Sequence, residues 1–157
     1  MTGDRAVPGD GPAPGPETMG PPAPRPCDSC PYRRDVPSGV WHASEYEKLR
    51  AYDRADLAEQ PVALFQCHQV DADSDRRRVC AGWAGCHGDT LALRVALIEQ
   101  RISPRTFQAA IDYRSPTPLF ASASEAADQW QADVPRPGAQ AVAAIAKIRR
   151  HRSDLTT

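Results

Sequence analysis

Four of the five cysteines stand as one close pair and two distant singles: Cys27 and Cys30 in C-x2-C spacing, then Cys67, then Cys80. No other feature constrains the fold as strongly. A C-x2-C turn can offer two thiolates to one ion while its backbone N–H groups aim at the sulfurs. Cys67 and Cys80 can complete such a site only if folding brings three separate segments together. Four soft thiolates suit Zn²⁺ or an iron–sulfur cluster. Pro31 directly follows Cys30, as Pro follows a cluster cysteine in some ferredoxins. A zinc site closed by four thiolates is structural and has no open position for catalysis, whereas a cluster would allow electron transfer or sensing.

Alternative ligands stand beside this set. Cys86 could replace one of the four, and His68 and His87 adjoin Cys67 and Cys86. Side chains of adjacent residues diverge, so each dipeptide offers one ligand at most. Four thiolates on Zn²⁺ leave a charge of −2, which Arg33 could offset as a charge partner or hydrogen-bond donor. A dithiol redox pair at Cys27 and Cys30 would normally sit between a strand and a helix. Here a Pro-rich stretch precedes it.

The rest of the sequence sets the context. Residues 1–26 are dominated by Pro, Gly and Ala without hydrophobic periodicity, and are expected to form a disordered tail. The first residues lack the apolar stretch of a signal peptide. No apolar run approaches the roughly 20 residues that span a bilayer. The expectation is a cytoplasmic protein with no membrane contact, where reduced thiols bind metal more readily than they form disulfides. The formal net charge is −1, which gives no whole-protein pull toward nucleic acid. Arg far outnumbers Lys, since only Lys48 and Lys147 are Lys. This reflects a GC-rich genome and weakens arguments from any one Arg.

The pattern predicts a small α+β domain over residues 27–131, mostly helical, with a few short strands and an irregular cysteine-rich metal-binding layer. Residues 132–157 form a linker and a basic C-terminal helix. Ser44 with Glu47 reads as a capping box for a helix ending near Asp53. Residues 61–67, PVALFQC, read as a buried strand delivering Cys67. CAGWAGCHGD reads as irregular. Asp89 or Thr90 caps a helix whose Leu91, Val95 and Ile98 face the core. Ser103-Pro104 opens another helix through Phe107, Ala110 and Ile111. Ser122 or Ser124 caps a short one, and AQAVAAIAKIRRHR forms the last.

The ordered set CDSCPYRRDVPSGVW, EYEKLRAYD, EQPVALFQCH and CAGWAGCHGDTLALR resembles a family of small uncharacterised proteins of actinobacteria and their phages, a domain of unknown function. The resemblance covers about residues 27–130. Its pattern C-x2-C-P-x-R, F-x-C-H and C-A-G-W falls on Cys27, Cys30, Pro31, Arg33, Phe65, Cys67, His68, Cys80, Gly82 and Trp83. The pattern implies no Cys at position 86, which favours the other four as ligands. It implies no activity.

Arg76, Arg77 and Arg78 follow Asp71, Asp73 and Asp75, whose charges nearly cancel theirs, and read as a solvated loop. The run Lys147, Arg149, Arg150, His151, Arg152 could contact nucleic acid, although cations are also favoured at a helix C-terminus. No phosphate loop, metalloprotease pair or nucleophile elbow is present. The expected function is a zinc-binding module with an unknown protein partner. An iron–sulfur redox or sensor protein and a nucleic-acid-binding zinc module are the alternatives.

Overall fold

The computed structural model describes residues 18–152. They form α1 (Ala43–Arg50), α2 (Ala81–His87), α3 (Leu91–Ile98), α4 (Pro104–Ile111), α5 (Ala123–Gln131) and α6 (Ala139–His151). Single 3-10 turns occupy Ala51–Asp53 and Leu57–Glu59. α1 packs on α5, and α4 contacts both α2 and α3.

The α+β expectation fails, because the described residues contain no strand and no sheet. They hold three isolated bridges, Gly20 with Arg78, Arg33 with Leu119 and Gln66 with Val79. The apolar run at 61–67 starts with Pro, which has no N–H for a ladder. It pairs with the other segment over one bridge only: Cys67 N–H donates to Arg78 O and Cys80 N–H to Phe65 O. That bridge still does the strand's expected work, since it sets Cys67 beside Cys80. The metal-binding layer of that expectation is likewise not shown.

Local capping rules account for several helix starts. Thr90, Ser103 and Ser122 each accept a hydrogen bond from the N–H three residues on, as N-caps do. α1 departs from the capping-box reading. Its N-cap is His42, whose Nδ1 accepts from Ser44 N–H.

Two expectations reverse. The CAGWAGC stretch, read as irregular, is α2. Its glycines mark close approach: a Cβ at Gly82 would run into Cys30 Sγ. In α3 the core face is Ala92, Leu93 and Ala96, while Ile98 is 80% exposed. The amphipathic stripe thus lies one position away from the largest side chains, because small alanines let α3 approach its neighbours.

The core is built on Trp83, Tyr32, Tyr46, Leu49, Leu93 and Ile102, all fully buried. α5 adds Ala123, Ala126, Ala127 and Trp130. The described end of the expected tail lies against this core. Met19 N–H donates to Arg101 O, Gly20 exchanges hydrogen bonds with Arg77 and Val79, and Pro26 is fully buried. Residues 1–17 and 153–157 of the expected terminal segments lie outside the described residues.

Candidate metal centre

The C-x2-C turn is held by donors to its carbonyls. Trp41 Nε1 donates to Ser29 O at 2.9 Å, and Trp130 Nε1 to Pro31 O at 2.6 Å. Arg33 donates to Pro26 O and Cys27 O, and pairs with Asp35 at 2.7 Å and Asp28 at 3.3 Å. Within the turn Cys30 N–H donates to Cys27 O at 3.1 Å. Ser29 N–H donates to Cys27 Sγ, and Gln69 N–H donates to Cys67 Sγ. The two knuckles therefore repeat one device, a thiol accepting from the N–H two residues on. Gln69 Nε2 links them by donating to Ser29 Oγ at 2.9 Å.

Cys30 Sγ lies 3.9 Å from Cys80 Sγ, and Cys27 is near enough to Cys30 and Cys67 for each to perturb the titration of the other. Cys67 and Cys80 also feel each other's charge. Cys30, Cys67 and Cys80 are buried, whereas Cys27 is half-buried. Cys80 is the N-cap residue of α2. No group of three or more His, Cys, Asp or Glu that could hold a metal ion is found among the described residues.

Hydrogen bonds from Cys30 and Cys67 pull the Cys27 thiol far down, against its burial. Burial, then its bond to Cys27, pushes Cys30 far up. Cys67 rises through its bond to Cys27 and then burial. The thiols are thus pulled in opposite directions, Cys27 down and Cys30 and Cys67 up.

The remaining expected residues fall elsewhere. Cys86 is half-buried, and its thiol is pushed up to about 12 by burial and by Asp53 and Glu125. His87 Nε2 lies 3.2 Å from Tyr32 Oη, and its Nδ1 lies 3.9 Å from Asp53. Burial lowers the His87 pKa, against the pull of Asp53. His68 packs on Trp41 with ring centroids 4.5 Å apart and faces Glu45 through Nε2 at 3.9 Å. Arg33 braces the backbone of the turn through Pro26 O and Cys27 O.

Sequence reasoning missed Trp130, Gln69 and Ser29. Trp130 acts across 99 residues, and no local signal reveals that. The i+2 position after each knuckle cysteine was the available clue to Ser29 and Gln69.

An open groove of about 630 Å³ exposes one edge of the centre, with Cys27 and Cys67 on its floor and Arg25, Arg76 and Arg78 along its walls. No helix among the described residues is long and apolar enough to cross a membrane.

A family model described as a family of unknown function (DUF6283) matches residues 22–152. No curated protein matches the chain. No solved structure matches it either.

Proposed function

Because the chain belongs to this family of unknown function, we propose from its own geometry that it is a metal-binding domain in which Cys27, Cys30, Cys67 and Cys80 hold one zinc ion. The ion staples the turn at residues 27–30 to the bridge between Cys67 and Cys80. The role is structural, since four thiolates leave no open coordination position.

The observation that carries this reading is the spacing of the sulfurs. A tetrahedral centre with Zn–S bonds of about 2.3 Å has an edge of roughly 3.8 Å. Cys30 and Cys80 are 3.9 Å apart, which matches one edge of such a centre. A [4Fe–4S] cluster places each thiolate on a separate iron and asks for wider spacing than this pair offers. The N–H donors at Ser29 and Gln69 supply the bonds to sulfur that orient thiolate ligands. Loading replaces the thiol protons with one cation, so zinc affinity rises with pH.

Elemental analysis of protein purified without oxygen tests this. The expected result is one zinc per chain and no visible absorption. One iron per chain with visible colour would move the reading to a mononuclear iron centre, and neither metal at stoichiometry would end it.

A further inference from the structure

The arginine groove sits on the two segments that the thiols join. Arg25 lies two residues before Cys27, and Arg76 and Arg78 lie between Cys67 and Cys80. Arg76 and Arg78 are exposed and have no carboxylate partner among the described residues. The one acid lining the groove is Asp28, which already faces Arg25, Arg33 and Lys147. Asp28 and Gln69 also line the adjoining hollow, where α6 places Lys147 and His151. Cations from three parts of the chain therefore meet on one face, although the whole chain is nearly neutral.

Guanidinium forks along a concave wall match phosphate oxygens. No aromatic side chain lines this groove. A protein interface is expected to centre on aromatic anchors, and single strands are held by stacking on aromatic rings. Neither feature is present, which leaves contact with a phosphate backbone. We propose that this groove grips the phosphate backbone of a nucleic-acid duplex without reading its bases. The inference rests on the zinc reading, since the ion would fix the separation of the two arginine-bearing walls.

The test uses the zinc-loaded full chain and fluorescence anisotropy. The probes are a labelled duplex of mixed sequence and a single strand of equal length, with poly-L-glutamate as competitor. The expected result is duplex binding at about 50 mM salt that weakens steeply as salt rises. The double variant Arg76→Glu/Arg78→Glu should keep its zinc and its circular dichroism, because both side chains are exposed. It should bind roughly tenfold or more weakly, with a salt slope shallower by about 0.9 per lost phosphate contact. Absence of binding at low salt, or unchanged binding by the double variant, would overturn the proposal. Tighter binding of the single strand, or displacement of the duplex by poly-L-glutamate at equal charge, would overturn it as well. Failure to take up zinc sinks the preceding reading, whereas zinc-loaded protein that ignores the duplex sinks this one alone.

Discussion

Gly82→Ala is the most incisive perturbation of the proposed centre. Gly82 is the second residue of α2. In a helix interior the change from Gly to Ala is favourable by about 1 kcal/mol. The new methyl group would run into Cys30 Sγ and lie 2.9 Å from Tyr32 Cβ. Both neighbours are fully buried, and Tyr32 is tied to His87, so neither yields easily. Overpacking of this kind costs about 1–3 kcal/mol. The upper end applies to two rigid obstacles, leaving a net loss of about 1–2 kcal/mol after the propensity gain. If the strain is relieved by moving Cys30 Sγ, zinc affinity falls by roughly tenfold per 1.4 kcal/mol. Gly85→Ala is the control within the same helix. Its methyl would lie 2.7 Å from Leu119 Cδ1, the end of a flexible side chain that can turn away. Urea unfolding with zinc, and competition against a chromophoric chelator, read both effects. Equal stability and equal zinc affinity for Gly82→Ala and Gly85→Ala would refute the argument that Cys30 is seated against α2.

Serine at each of Cys27, Cys30, Cys67 and Cys80 should abolish stoichiometric zinc, whereas Cys86→Ser should retain it; metal analysis of the five variants decides, and equal loss in all would show the wrong set. Glu45 is held at about 2, against an ordinary 4.5, by His68 and then Lys48. Its carboxylate therefore stabilises the fold above pH 4.5, and that contribution fades as pH falls through about 2. Stability curves of wild type and Glu45→Gln should converge over this window, and a constant gap would contradict the pairing. Asp53 accepts from Ala123 N–H at 3.0 Å and Ser124 N–H at 2.6 Å at the start of α5. Asp53→Ala should cost about 1–3 kcal/mol by thermal unfolding, and Asp53→Asn less; an unchanged midpoint would remove the capping role.

What could be read in the sequence was local. Ser103 before Pro104 and Ser122 before the alanines announce helix starts, because a cap is a contact made within three residues. α2 could not be read in this way. Gly82 and Gly85 lower helix propensity, and the reason for Gly82 is a sulfur 52 residues away in the chain. The face of α3 was misjudged for a related reason: large apolar side chains were taken to mark the core, yet close helix contact selects Ala92 and Ala96. The strand at 61–67 was a sound reading of composition, but pairing there stops at one bridge. For the centre, cysteine spacing singles out four thiols, of which Cys30 and Cys80 lie 3.9 Å apart. It gave no view of Trp41, Trp130 and Arg33, which hold the turn from distant positions. Arg33 was expected to face sulfur, and its true partners are carbonyls and carboxylates.

The helices have a consequence for how the domain comes apart. α1 to α5 are seven to nine residues long, and only α6 reaches thirteen. Segments shorter than about 12–15 residues scarcely hold helical form alone in water. No part of this chain is therefore a natural fragment. Amide protons buried throughout the domain should exchange with deuterium in one shared opening event, and a protease that severs any inter-helix loop should leave peptides without measurable helicity.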